Sequence, residues 1–244
     1  MLFARVRTVQ RSIGGYGGRL MIQHLDEFPF KQLRVRPYGE RGVLLDGFGA
    51  AERGWIEQTL RCDLPEPLED CVWGADNCLL LFVRPVEEAI LRTWLNRLQG
   101  ASASASMAAV ARRVEMPVIY DGPDLFAVAQ ATGLSEAEVI AIHSAPEYRV
   151  RMMGFTPGFP YLDGLDPRLH LERKASPRDR IESGAVAIGG SHAGIYSVAS
   201  PGGWHLLGRT ELPLFRPELA KGSDCEARDI FTLAAGDTVR FIPS

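Results

Sequence analysis

Lysine is scarce in this 244-residue chain: only Lys31, Lys174 and Lys221 occur among its 27 Lys and Arg residues. None follows a glycine, which excludes the Gly-Lys-Ser/Thr run that cradles phosphates in a P-loop. None follows a methionine, so the Met-Lys hairpin of a biotin carrier is absent too. Lys174, in ERKASPR, lacks the Gly/Ser-rich surroundings of a Ser-Ser-Lys amidase. Cysteine is equally sparse. Cys62, Cys71, Cys78 and Cys225 form no C-x-x-C pair and have no histidine at zinc-finger spacing. A chain this long can bury its own core, so reduced, packed thiols of a cytoplasmic protein are expected. The five histidines share no ligand spacing, and no metal set is expected. Charge of one sign is missing as well: 27 Lys+Arg against 30 Asp+Glu leave −3, with no basic excess for a nucleic-acid partner. The longest strongly apolar run, Cys78–Val83, is too short to cross a bilayer, so no membrane partner is expected.

What is present describes a globular chain, with 46% hydrophobic and 23% charged residues. Residues 1–30 read as a flexible extension. They carry Arg5, Arg7, Arg11 and Arg19 with no acid before Asp26 and no continuous apolar stretch, and Met21 is the expected working start. Residues 31–100 read as a small α/β domain. Two strands (LRVRPYG, GVLLDG) precede a helix at AAERGWIEQTL that sets Trp55, Ile56, Thr59 and Leu60 near one face. A second strand pair, CVWGADNCLLLFV, turns at Gly74–Asn77. A helix at Val86–Leu98 follows, started by Pro85, repeating Ile90, Trp94 and Leu98, and ended by Gly100.

Residues 101–112, with the small polar run GASASASM, read as a linker, and 113–244 as a β-barrel domain. The barrel opens with the strand MPVIY and two short helices. Asp124 is expected to cap the first, and Ser135 with Glu138 forms an S-x-x-E capping box for the second. Beyond Glu147 the helical period ends, and short apolar segments alternate with Gly/Pro turns, as in a barrel or sandwich. The fold class is therefore α+β. His143 and Glu147 flank the helix-to-strand junction, where they are expected to satisfy backbone groups.

The 25 glycines are unevenly placed: four lie within Gly14–Gly18 and ten between Gly154 and Gly208. Aromatic and cationic side chains are interleaved in the second group. Tyr161, Tyr196 and Trp204 either line a shallow pocket or pack as core. Arg178 and Arg209 either grip a carboxylate or phosphate in bidentate fashion or fix loops by ion pairs. His192 is the candidate general acid/base or donor to a substrate carbonyl, with a structural histidine as the alternative. Gly189-Gly-Ser-His-Ala193 approaches G-x-S-x-G but ends in Ala and leads into a β segment, so Ser191 is not expected to be a nucleophile.

The run GFTPGFPYLDGLDPRL, followed by SPR, SGAVAIGG, GIY and SPGGWHLLGRT, resembles the allophanate hydrolase subunit 1 family. The likeness extends from Arg34-Val-Arg-Pro-Tyr-Gly39 through HSAPEYRV to the final GDTVRFIP. It departs in three places. His192-Ala193-Gly194 stands where the family usually has Gln-Thr-Gly, the segment at Asp121–Asp124 is shorter, and the first twenty residues have no counterpart. The resemblance implies a cyclophilin-like barrel after the α/β domain. It implies the B subunit of an ATP-dependent 5-oxoprolinase, inactive alone, with ATP bound mainly on a partner. The implied partners are a homologous, KipA-like C subunit together with a lactam-utilisation protein, the A subunit. Arg178 or Arg209 would serve the substrate carboxylate. The family also contains a KipI-type inhibitor of a sensor histidine kinase and half of a urea-type carboxyltransferase, and the residues do not separate these readings. Allophanate hydrolysis itself is not expected of a chain without the amidase residues.

Overall fold

A computed structural model describes residues 34–49, 53, 56, 60, 67–87, 89–91, 93–94, 111–221 and 225–244. The expected extension, Trp55, Thr59, Cys62, Leu98, Gly100 and the linker run 101–110 lie outside the described residues. The chain divides into two compact units, Met1–Ala109 and Val110–Ser244. Among the described residues no single helix is long and apolar enough to cross a membrane.

In the first unit, β1 (Arg34–Tyr38), β2 (Gly42–Asp46), β3 (Leu68–Trp73) and β4 (Asn77–Phe82) form an antiparallel sheet in the order β1-β2-β4-β3. Strand β4 alternates strictly, burying Cys78, Leu80 and Phe82. Those side chains join Val43 and Leu45 from β2, and Ile56, Leu91 and Trp94 from helical positions, in one core. The expected stripe through Ile90 is corrected: Ile90 is 42% exposed and Leu91 is fully buried. The buried line runs i, i+3 from Leu91 to Trp94, which places Ile90 at the flank. Across β1 and β2, Asp46 is buried and pairs with Arg34 Nε at 2.6 Å and with the Arg36 guanidinium.

The second unit is mixed α/β and mostly sheet. Its seven-stranded sheet runs β12-β9-β10-β7-β6-β13-β5. The strands are β5 (Arg113–Val118), β6 (Tyr148–Met153), β7 (Pro160–Asp163), β9 (Ala185–Gly189), β10 (His192–Ile195), β12 (His205–Arg209) and β13 (Thr238–Pro243). Among the described residues only β5 and β13 pair in parallel. Beyond β5, Ile119 and Arg209 exchange backbone hydrogen bonds of 2.9 Å, which draws the two edges together into a nearly closed barrel. A two-stranded sheet pairs β8 (Arg178–Ile181) with β11 (Ser200–Gly202).

Helices α1 (Leu125–Thr132) and α2 (Glu136–Ser144) connect β5 to β6. The Ser135–Glu138 capping box starts α2, and Gly133, at φ +70°, ends α1. A further short helix, α3 (Ala227–Ile230), was not evident in the sequence. Its Arg228 grips Asp237, a fully buried carboxylate that also accepts from the Arg112 and Ala234 N–H groups at 2.9 Å. Burial pushes that carboxyl up, but Arg228 and the two N–H groups outweigh burial and hold it below its usual range. Arg112 is thereby anchored to the last strand.

Strand β9 explains the small residues of AVAIG. Val186 and Ile188 face the main barrel core, while Ala185 and Ala187 face a second core on the other side of the sheet. That second core contains Phe159, Ile181, Tyr196, Trp204 and Leu206.

Candidate functional site

The glycine-rich signature builds the second core by making room for one ring. A Cβ on Gly189 would stand 2.8 Å from the Trp204 indole, and one on Gly194 would stand 3.0 Å from it and 2.8 Å from Phe159. Glycine at both positions lets Trp204 lie against the backbone of β9 and β10. Around it the rings meet edge to face, Phe159–Trp204 at 5.5 Å, Phe159–Tyr196 at 5.3 Å and Tyr161–Trp204 at 5.8 Å. Tyr196 and Trp204 are 1% and 5% exposed, so they pack as core and do not wall an open pocket. Burial raises the Tyr196 hydroxyl, which the Trp204 backbone N–H partly opposes. Tyr161 remains half-buried at the margin.

One rim of this core is cationic. Asp124 was expected to cap α1 but makes no cap bond. Its carboxylate instead accepts from Lys174 Nζ at 2.9 Å, Arg178 Nη2 at 2.8 Å and the Leu206 N–H at 2.8 Å. The physical reason is charge: two cations and a buried N–H bind the carboxylate more strongly than a helix terminus would. Burial raises the Asp124 carboxyl, and these three donors overcome it and bring it down to about 2. The Arg178 fork is half used, because its Nη1 is buried and has no hydrogen-bond partner among the described residues. Arg173 adds a third cation, its guanidinium lying 5.6 Å from the Trp204 ring centre.

The other rim holds His192. It stands beside Asp163 across β10 and β7, since Ala193 pairs with Leu162 and Gly194 with Tyr161. His192 Nδ1 lies 3.1 Å from Asp163 Oδ1, and Arg151 approaches the other carboxylate oxygen at 3.7 Å. Tyr161 turns its ring perpendicular to the imidazole. In the loop between β6 and β7, Phe155 adopts φ +69° and is 58% exposed, with its ring edge-on to Phe159. That left-handed backbone is costly for an aromatic residue.

Of the residues singled out in the sequence, the structure gathers Tyr161, Arg178, His192, Tyr196 and Trp204 around one aromatic core. Arg209 is placed apart from that set, half exposed and paired with Asp121 at 3.0 Å and Glu211 at 3.8 Å. His143 is corrected: it is fully buried, stacks on Phe241 and meets the Tyr120 hydroxyl at 2.7 Å through Nδ1. It is held by aromatic packing, because α2 turns it inward against β13. Asp124, Asp163, Arg173 and Lys174 were missed as site residues. Their one sequence signal is that cations at 173, 174 and 178 flank a Pro-containing turn.

Known proteins resemble this chain along most of its length. The sequence profile of the carboxyltransferase domain, subdomains C and D, matches residues 33–223. The 5-oxoprolinase B subunit of Escherichia coli O157:H7 is 38% identical over 222 residues, 86% of this chain and 96% of the relative. That of Bacillus subtilis strain 168 is 46% identical over 134 residues, 54% of this chain and 52% of the relative. Among solved structures, the crystal structure of TTHA0988 superposes with a TM-score of 0.67 at 39% identity, over 84% of this chain and 40% of that longer one. The chain belongs to the carboxyltransferase subdomain C and D family, among the allophanate hydrolase subunit 1 proteins that resemble the B subunit of 5-oxoprolinase.

Proposed function

We propose that the chain is the B subunit of an ATP-dependent 5-oxoprolinase complex that opens 5-oxo-L-proline to L-glutamate and that the chain is inactive alone. The observation that carries this reading is similarity, over nearly its full length, to a curated B subunit of 5-oxoprolinase. The chemistry is consistent with a shared site. An unstrained lactam resists water, and phosphorylation of its amide oxygen makes the ring carbon electrophilic. Water adds there, the ring nitrogen leaves with a proton, and a second water releases phosphate from the resulting acyl phosphate. The balance is one lactam, one ATP and two waters to glutamate, ADP and phosphate.

The sequence supplies no phosphate-cradling Gly-Lys-Ser/Thr run, so ATP is assigned mainly to a partner and no step on this chain is routed through it. The partners are the homologous C subunit together with the lactam-utilisation protein of the complex, its A subunit. Within the cyclophilin-like barrel, Arg178 is favoured over Arg209 for the substrate carboxylate. Its fork has a donor to spare beside the aromatic core, whereas Arg209 is already paired with two acids. Purified subunits mixed with ATP and 5-oxoproline test the reading. Glutamate is expected from the full mixture and none when this chain is omitted; activity without the chain, or none with it, overturns the proposal.

The profile's carboxyltransferase description favours a second reading, half of a urea- or allophanate-type carboxyltransferase. Because this chain has no Met-Lys hairpin, that reading requires a biotin-bearing partner. Carboxyl transfer from such a partner, with no lactam opening, would support it.

A further inference from the structure

The His192–Asp163 contact is built for something that packing does not require. Asp163 is 42% exposed and His192 27%, so neither fills the core. Yet the imidazole is held edgewise by Tyr161, with Nδ1 buried at 3.1 Å from Asp163 Oδ1. The two atoms meet the ion-pair distance, while Nδ1 closes no hydrogen bond among the described residues. Such loose alignment is common in acid/base sites before their ligand is bound. With Nδ1 turned inward, Nε2 is the nitrogen directed away from the carboxylate. On its other oxygen, Asp163 faces Arg151 at 3.7 Å.

We propose that Asp163 is the positioning residue of a His192–Asp163 proton-transfer pair on the rim of the aromatic core. The assignment rests on the lactam-opening reading for its substrate, but not for its geometry. Asp163 holds the proton of the neutral imidazole on Nδ1, leaving the lone pair of Nε2 free. As water adds to the phosphorylated ring carbon, an O–C bond forms, the C=N π pair moves onto the ring nitrogen, and an O–H bond of that water breaks, its proton passing to Nε2. Asp163 offsets the imidazolium charge. The imidazolium then returns the proton to the ring nitrogen; the C–N bond breaks as the added hydroxyl gives up its proton to the departing amine and the C=O of the acyl phosphate forms, and the imidazole is regenerated.

Three variants test it, each in the assembled complex and as the isolated chain. His192→Gln is expected to lower kcat about 100-fold with little change in KM, the usual scale for a general acid/base. Asp163→Asn and Asp163→Ala are expected to lower kcat by about 10-fold or more, again without a matching change in KM. In the isolated wild-type chain, 15N spectra of the neutral His192 imidazole are expected to show the proton on Nδ1, a preference lost in Asp163→Ala. Unchanged kcat in His192→Gln overturns the proton-transfer role, and an unchanged tautomer in Asp163→Ala overturns the positioning role. A wild-type complex that yields no glutamate would instead remove the lactam reading, and the tautomer spectrum would still decide the pair.

Discussion

Gly189 and Trp204 touch so closely that any Cβ at 189 would force the ring to shift: it would meet the indole carbons at 2.8 Å. The glycine is in ordinary strand backbone, so the constraint comes from the ring and not from φ. The same indole passes over Gly194, opposite Tyr161 on the neighbouring strand. Glycine at 189 and 194 therefore records the footprint of one side chain, and the aromatic core depends on that footprint.

Gly189→Ala is the direct test. The added methyl must push Trp204 outward, a small overpacking that typically costs about 1–3 kcal/mol. Urea denaturation of the variant should show a lower midpoint with an unchanged slope. Because Arg173 lies over the same ring, the variant should also change Trp fluorescence before unfolding begins. A midpoint equal to that of the wild type would mean that the indole has room to move.

The second prediction concerns Asp124. Asp124→Ala leaves Lys174 and Arg178 facing each other without the carboxylate, and leaves the Leu206 N–H without its acceptor. Breaking a buried ion pair costs about 3–5 kcal/mol. The two cations here are 32% and 28% exposed, so the loss should fall near about 3 kcal/mol. The acid dependence has a definite sign. The folded Asp124 carboxyl lies at about 2, below its ordinary value of 3.8, so its contribution is fully present above pH 3.8 and is lost as pH falls toward 2. Chemical denaturation between those pH values should show that loss in the wild type and not in the variant.

How far the sequence reveals this arrangement depends on the range of the interactions. Strands such as Asn77–Phe82 and the Ser135–Glu138 cap are local patterns, legible because their determinants lie within a few residues. Asp124 was misread because its partners lie 50, 54 and 82 residues away, and a carboxylate before an apolar run looks like a cap from nearby sequence. Ile90 was placed on the buried stripe because a 3.6-residue period accommodates either i, i+3 or i, i+4, and only the sheet beneath selects Leu91. The sequence leaves Tyr196 and Trp204 open between pocket and core for the same reason: their burial is set by what Gly202, Gly189 and Gly194 admit. Asp163 became visible only through the β7–β10 register, which no local pattern encodes.

The third prediction follows from His143, which the lactam chemistry does not use. Its ring is fully buried, stacked on Phe241 at 4.6 Å, and its Nε2 has no hydrogen-bond partner among the described residues. Burial lowers its pKa from 6.5 to about 3, so the folded chain holds it neutral. An unfolded chain protonates it below pH 6.5. Proton uptake thus favours unfolding: the full stability is present above pH 6.5 and is lost as pH falls from there toward 3. The expected slope from this one group is about 1.4 kcal/mol per pH unit. His143→Phe keeps the stack on Phe241 and gives up the contact with the Tyr120 hydroxyl, so its stability at pH 7.5 should be lower by about 1–2 kcal/mol. Between about pH 6 and 4 its stability should fall less steeply than that of the wild type by the slope of one proton. Equal slopes in the two proteins would show that His143 accepts a proton without unfolding the barrel.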